Sequence, residues 1–128
     1  AIGDFDNDGA VDVLIAVNDA APLLLRNRAA RGRHWLGLTL VGRQSNRDAI
    51  GARVTWQAGD LTRSRTKTAG GSFLSSHDPR FVLGIGSRTQ IDWLEVHWPQ
   101  PGGKVERFTK LPIDRYITIV EGEGRVTL

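Results

Sequence analysis

The stretch Ile91-Asp92-Trp93-Leu94-Glu95-Val96-His97-Trp98 alternates apolar and polar side chains from Leu94 to Trp98, and Asp92 could lie at the entrance of the strand. Because successive side chains of a β-strand point to opposite faces, Leu94, Val96 and Trp98 would share one apolar face. Comparable stretches, separated by turns rich in Gly and Pro, span residues 34–41, 52–56, 61–68, 80–85, 91–98, 105–108 and 115–121. This spacing predicts an all-β fold, an antiparallel β-sandwich of about seven strands. No long stretch keeps the 3.6-residue period of a helix, so almost no α-helix is expected.

The length and composition are those of one ordinary soluble domain, or of a small domain with an appendage. The 128 residues include no cysteine, which excludes disulfides and Cys-based zinc sites. No apolar run approaches the ~20 residues of a membrane helix. Five aspartates and no basic residue fall in the first twenty residues, so the remainder holds all 17 basic and nine of the 14 acidic residues. Such a surface could meet nucleic acid, acidic polysaccharide or anionic lipid, but an arginine-rich soluble surface is the simpler interpretation.

The sharpest motif is the acidic loop Asp4-Phe5-Asp6-Asn7-Asp8-Gly9-Ala10-Val11-Asp12. Calcium prefers six to eight oxygen ligands, and alternate carboxylates of a tightly curled loop can converge on one ion. We therefore predict a calcium site with the side chains of Asp4, Asp6, Asp8 and Asp12 and the Ala10 carbonyl as ligands. Magnesium is less expected because it requires a stricter octahedron. The alternative is an acidic turn that binds no ion.

The residues after this loop do not continue as an EF-hand would. Ile15 stands where an EF-hand has its closing Glu, and a β-branched strand over residues 11–17 follows instead of a helix. A second strand over residues 23–26 would complete a hairpin. We predict a calcium-loop segment at residues 1–27, a linker at 28–33 and a sandwich domain at 34–128. Because the chain begins with Ala1 rather than Met, we expect it to be a fragment of a longer polypeptide.

Two polar segments are candidates for ligand binding. The loop 45–51 either presents a ligand site or uses its side chains to hydrogen-bond its own backbone, and both alternatives stay open. Its candidate side chains are Asn46, Arg47 and Asp48. In residues 61–68, the basic Arg63, Arg65 and Lys67 alternate with small polar residues. This pattern fits a stripe that meets an anionic ligand, but we favour an edge strand whose charges prevent pairing with another chain.

The tryptophans are candidates for ligand recognition, and one Ser-His-Asp cluster is a candidate for catalysis. Trp35 and Trp93 share phase with polar neighbours, so they are the better candidates for exposed, sugar-stacking side chains, although burial in a core or interface is the more expected outcome. Trp56 and Trp98 share phase with inward residues and are expected in the core. The segment Ser75-Ser76-His77-Asp78 has the residue types of a hydrolase, but adjacent residues do not easily align a nucleophile, a base and an orienting acid. We therefore expect that the protein is not an enzyme.

Two family resemblances cover most of the chain. Residues 1–27, in which Gly3-Asp4-Phe5-Asp6-Asn7-Asp8-Gly9 runs into Asp12-Val13-Leu14, resemble an FG-GAP/VCBS repeat of a β-propeller. Residues 34–121 resemble the ASPIC/UnbV domain, most specifically in Ser45-Asn46-Arg47-Asp48-Ala49-Ile50-Gly51-Ala52-Arg53-Val54. Supporting segments are His34-Trp35-Leu36-Gly37-Leu38, Gly70-Gly71-Ser72-Phe73-Leu74-Ser75-Ser76, Leu83-Gly84-Ile85-Gly86 and Leu94-Glu95-Val96-His97-Trp98-Pro99. The same order of segments is similar to that of the cartilage acidic protein 1 family.

These resemblances imply a calcium-binding protein located outside the cell or in the cell envelope. We expect a non-catalytic adhesion or ligand-binding module that meets a protein or polysaccharide, with no nucleic acid and no membrane insertion. The alternatives are a purely structural cap of a propeller and a carbohydrate-binding accessory domain of an exported enzyme. A propeller blade has four strands and residues 1–27 supply about two, so the open edge could also pair with another copy of the chain.

Overall fold

In the computed structural model, which describes residues 1–29, 31–101 and 103–127, the chain is all-β. No α-helix occurs in these three segments, and therefore none that is long and apolar enough to cross a membrane. The strands are β1 (Ile2–Gly3), β2 (Asp12–Ile15), β3 (Leu23–Leu25), β4 (His34–Val41), β5 (Arg53–Ala58), β6 (Leu61–Thr66), β7 (Phe81–Gly86), β8 (Trp93–His97), β9 (Val105–Phe108), β10 (Tyr116–Val120) and β11 (Val126–Thr127).

Two four-stranded sheets form the predicted sandwich, in the strand orders β11-β10-β4-β7 and β6-β5-β8-β9. All seven predicted strands are present within a few residues of their expected bounds, and the short β11 is an eighth that the sequence pattern did not indicate. The predicted antiparallel β-sandwich is confirmed, and one pair of strands departs from antiparallel pairing. Strands β4 and β10 pair in parallel, from Tyr116 opposite Gly37 to Val120 opposite Val41. Parallel neighbours need a long crossover, and here five strands intervene in the chain between the two partners.

The core lies between the two sheets and follows the alternation of the sequence. Leu94, Val96 and Trp98 are buried as predicted, and they belong to one apolar cluster that also contains Leu36, Leu38 and Leu40 of β4. Trp56 is also buried, as expected from its phase. Burying large aliphatic and aromatic side chains is the main favourable term in folding, so this cluster is what holds the sandwich together.

Strand β6 lies at the edge of its sheet, as predicted for the basic stretch 61–68. Its partner register places Arg65 opposite Val54 and Arg63 opposite Trp56, so these arginines belong to the inward face of the sheet. Both arginines are exposed, and the Arg65 guanidinium lies 5.3 Å from the centroid of the Phe81 ring of β7. Inward-pointing charge on an edge strand hinders edge-to-edge pairing with another sheet.

The first three strands form a separate small sheet in the order β1-β2-β3, and their acidic loop packs on the outer side of β4. Trp35 is therefore only 7% exposed, which is the more expected of its two outcomes, and it is not available as an exposed stacking side chain. The alternation along β4 correctly placed the Trp35 side chain on the outer face of the sheet, but the acidic loop covers that face. Gly9 lies against the Trp35 ring with φ of +84°, and a Cβ there would meet ring atoms at 2.3 Å. Only glycine fits both the left-handed backbone and this close contact.

Candidate metal centre

The acidic loop brings together three of its predicted ligands. Asp4, Asp6 and Asp8 each offer a carboxylate oxygen, and these oxygens lie within 4.8 Å of one another. Oxygens bound at ~2.3–2.6 Å to one calcium ion are separated by no more than about 5 Å. The three carboxylates therefore fit around a single calcium ion.

Backbone N–H groups fix two of these carboxylates. Asp4 is buried, and its Oδ1 and Oδ2 accept hydrogen bonds from Asp8 N at 3.1 Å and Gly9 N at 2.9 Å. Asp8 Oδ1 accepts from Ala10 N at 2.9 Å. These bonds curl the backbone of residues 4–10 around the carboxylates of Asp4 and Asp8.

Asp12 holds the two ends of the acidic loop together through hydrogen bonds to the backbone. It is buried, and its two oxygens accept hydrogen bonds from Asn27 N at 2.7 Å and Phe5 N at 3.1 Å. Asp12 thereby connects the end of the acidic loop to Phe5 at its beginning and to Asn27, which follows the hairpin. It does not belong to the group of three converging carboxylates. Ligand roles for Asp12 and for the Ala10 carbonyl stay predictions.

Arg26 is a member of the site that the sequence pattern did not single out. Its guanidinium forms an ion pair with Asp6 and lies 4.0 Å from Asp8 Oδ2. The hairpin return along β3 places it there, one residue beyond the strand. A cation beside two carboxylates relieves their repulsion, so Arg26 offers an internal counter-charge for the acidic loop.

Tyr116 and Arg80 join the acidic loop to the sandwich. Tyr116 Oη donates to Asp4 Oδ2 at 2.6 Å, while Arg80 donates to the Asp4 carbonyl at 2.9 Å and to Asn7 Oδ1 at 2.8 Å. The Arg80 guanidinium also lies 4.1 Å from the centroid of the Tyr116 ring and is paired with Asp78. Burial, then the hydrogen bond to Asp4, raise the pKa of Tyr116, so its hydroxyl is protonated at neutral pH and donates.

The loop 45–51 uses its first candidate residue to stabilise itself. Both amide atoms of Asn46 bond to the backbone of Ile50, at 2.9 and 2.8 Å, which is the second of the two alternatives expected for this loop. The side chains of Arg47 and Asp48 are exposed, and any ligand role for them stays a prediction. Asp48 borders a pocket that it shares with the buried Lys67, whose pKa is lowered by burial and raised in part by the charge of Asp48.

Glu121 fixes the backbone where the chain enters this loop, and the sequence pattern did not identify it as a site residue. It is buried, and its Oε2 accepts hydrogen bonds from the backbone N–H groups of Arg43, Gln44 and Ser45 at 2.8, 2.9 and 2.8 Å. Ser45 Oγ donates to Oε1 at 3.0 Å. Burial opposes ionisation, but these hydrogen bonds outweigh it and lower the pKa of Glu121.

Trp93 is half-buried and is not a bare stacking surface. Its Nε1 donates to Gln57 Oε1 at 2.8 Å, and the Arg107 guanidinium lies 4.5 Å from the centroid of its ring. One face of the indole is therefore covered by a cation. A ligand role for Trp93 stays a prediction, and it would depend on the other face.

The cluster Ser75 to Asp78 forms no catalytic relay among the residues that the structure describes. Ser75 Oγ donates to the Phe73 carbonyl, His77 Nδ1 accepts from Ile2 N, and the Asp78 carboxylate is paired with Arg80. Each group is thus engaged elsewhere, and the chain of hydrogen bonds that activates a nucleophile is not made.

Comparison with known proteins places the sandwich in a family. The family described as ASPIC and UnbV matches residues 42–126, and the chain belongs to it. The match covers the loop 45–51 and the strands from β5 to β11 but not the acidic loop. No curated protein matches the chain. The resemblance of residues 1–27 to an FG-GAP/VCBS repeat stays a prediction.

Proposed function

We propose that the chain is a non-catalytic, calcium-stabilised adhesion or ligand-binding module that works outside the cell or in the cell envelope. The main observation is the convergence of the Asp4, Asp6 and Asp8 carboxylates within 4.8 Å on a loop that is fastened to the sandwich. Calcium would supply there a divalent charge that neutralises and orders the loop. The residues that would hold it are these three aspartates, with Asp12 and the Ala10 carbonyl as further candidates.

Charge is the physical reason for preferring a metal to an acidic turn that binds no ion. Like-charged carboxylates at such separations repel one another, and the guanidinium of Arg26, with that of Arg80 already paired with Asp78, offsets only part of that repulsion. Asp4 also links the site to Tyr116 of β10. Ordering of the loop would therefore stabilise the contact between the first three strands and the sandwich.

Thermal unfolding of the whole chain in calcium and in chelator tests the metal. A ligand that binds only the native state raises the free energy of unfolding by about 2.7 kcal/mol at a hundredfold excess over its Kd. We expect calcium to raise the Tm of the wild-type chain, and the pair Asp6→Asn with Asp8→Asn to remove the increase. Asp19→Asn, an exposed aspartate outside the cluster, should keep it. A Tm that is the same in millimolar calcium and in chelator would rule out the proposed site.

The structural-cap alternative has one observation in its favour. The acidic loop packs on β4 through the contact between Gly9 and Trp35. Such a contact is expected if the only role of the sandwich is to cap the propeller segment. Screening the chain against a glycan array separates the two roles. A stabilising calcium effect with no glycan or protein bound would favour the cap.

The accessory-domain alternative depends on aromatic side chains that stack on sugar rings. Burial of Trp35 removes one of the two candidates, and Arg107 covers one face of the other, Trp93. Trp93→Ala should lower binding to neutral glycans if this alternative holds. Unchanged binding would exclude Trp93 as a stacking platform.

A further inference from the structure

Six of the 14 arginines of the chain line two adjoining concavities beside the acidic loop. The concavities have volumes of about 540 and 420 Å³ and adjoin at Arg33, His34 and Trp35, which line both of them, so the two are taken together as one groove. The arginines of this groove, called here the arginine groove, are Arg26, Arg28, Arg31, Arg33, Arg63 and Arg88. The only carboxylates that line it are those of Asp8 and Asp114.

The charges of the groove are not balanced by the protein. Asp8 lies near Arg26, Asp114 is paired with His34, and Arg88 is paired with Asp60, which lies outside the lining. The remaining four arginines form no ion pair with any residue in the described segments; they are Arg28, Arg31, Arg33 and Arg63. All four are exposed. A concave surface lined by one sign of charge attracts ligands of the opposite sign.

We propose that the arginine groove binds an acidic polysaccharide through its carboxylate or sulfate groups. The planar guanidinium forms paired hydrogen bonds with both kinds of group, and several arginines along a groove match a chain with repeated anionic units. Gly84 adds no side chain at a mid-strand position of the lining where the space is open, so a ligand can approach the strand closely there. Among the described residues of the lining, the aromatic rings are those of Trp35, which is buried, and His34, which is paired with Asp114, so the groove presents no exposed Phe, Tyr or Trp ring on which nucleic-acid bases could stack.

This proposal gives a ligand class to the binding role proposed above and rests on it, but it does not require calcium. The test is therefore made in chelator with the whole chain, by titrating heparin, polygalacturonate and neutral dextran at low and at high salt. We expect the two acidic polysaccharides to bind and dextran not to bind. Salt should weaken the binding strongly, because the contacts lie at the surface. Heparin and polygalacturonate distinguish sulfate from carboxylate as the recognised group.

Paired charge reversals locate the site. Arg33→Glu with Arg63→Glu should lower the affinity for the acidic polysaccharide about tenfold or more, given the usual size of surface ion pairs. Arg53→Glu with Arg115→Glu changes the net charge equally at exposed arginines outside the groove and should have a smaller effect. The milder pair Arg28→Gln with Arg31→Gln repeats the test if the first pair lowers the Tm.

Three results would overturn the proposal. The first is that neither acidic polysaccharide binds at low salt. The second is that the groove pair and the control pair of substitutions lose the same amount of affinity. The third is that single-stranded DNA or polyglutamate binds more tightly than the polysaccharides. A calcium-dependent Tm together with any of these results would leave the calcium module standing and remove only the polysaccharide groove.

Discussion

At the scale of single residues, the phenol of Tyr116 is the contact by which the sandwich reaches the acidic loop. Its hydrogen bond to Asp4 Oδ2 at 2.6 Å joins a hydroxyl to a carboxylate, which makes it one of the stronger kinds of hydrogen bond. Tyr116→Phe keeps the ring under Arg80 and deletes only the donor. We expect the free energy of unfolding to fall by about 1.5 kcal/mol, measured by urea unfolding in chelator.

A double-mutant cycle with Asp4→Asn checks the cause of that loss. If the hydrogen bond between the two side chains is responsible, Tyr116→Phe should cost much less in the Asp4→Asn background than in the wild type. Strictly additive losses would show that Tyr116 acts by packing alone.

Glu121 gives the second prediction at this scale, and it concerns pH. Its pKa in the folded chain lies below the ordinary value of 4.5, so its contribution to stability is complete above that value and is lost as the pH falls through the lowered pKa. Glu121→Gln should lower the free energy of unfolding at pH 7 by about 2 kcal/mol. The variant should also lose less stability than the wild type on acidification below about pH 4.5.

Equilibrium unfolding from pH 7 to pH 3 measures both effects. Glu123→Gln is a matched control at a neighbouring glutamate whose side chain forms ion pairs with the surface arginines Arg43 and Arg125. An identical acid response in the wild type and in Glu121→Gln would contradict the assignment.

At the scale of elements, strand β3 is the most exposed apolar segment with regular structure. Its three leucines, Leu23, Leu24 and Leu25, are each more than half exposed, and the strand pairs with β2 on one side only. An exposed apolar edge strand is a template for pairing with another chain. We expect the chain to self-associate with rising concentration, and Leu24→Lys to reduce that association.

Sedimentation velocity over a range of concentrations measures the effect. Leu74→Lys serves as the control, because Leu74 is also an exposed leucine but lies in a loop and not on a strand edge. A chain that stays monomeric throughout, or equal effects of the two substitutions, would remove self-association through β3.

The same scale shows what the sequence could and could not predict. Alternation in β8 identified the buried residues Leu94, Val96 and Trp98, because strand phase is a local property. The burial of Trp35 and the parallel pairing of β4 with β10 depend on segments far away in the chain, which no local pattern reports. Spacing likewise predicted the three converging aspartates, but Arg26 and Tyr116 reach the loop only through tertiary structure.

At the scale of the whole molecule, Arg26 belongs both to the acidic loop and to the arginine groove. It is paired with Asp6 and lies near Asp8, and it lines the same concavity as Arg28 and Arg31. An ion held by the loop carboxylates would compete with Arg26 for them, and its guanidinium would become available to an anionic ligand in the groove. The two proposed sites should therefore be coupled.

We expect calcium to raise the affinity for a heparin oligosaccharide by about two- to fivefold, the usual worth of one exposed ion pair. Coupling between two binding equilibria is reciprocal, so the oligosaccharide should raise calcium affinity by the same factor. Isothermal titration at matched ionic strength measures both affinities.

Two variants test the role of Arg26 in this coupling. Arg26→Gln should abolish the coupling, while the calcium-dependent rise in Tm persists. Arg28→Gln should weaken oligosaccharide binding and leave the coupling intact. Calcium that binds free heparin affects both variants alike, so equal coupling in the two would show that Arg26 does not connect the sites.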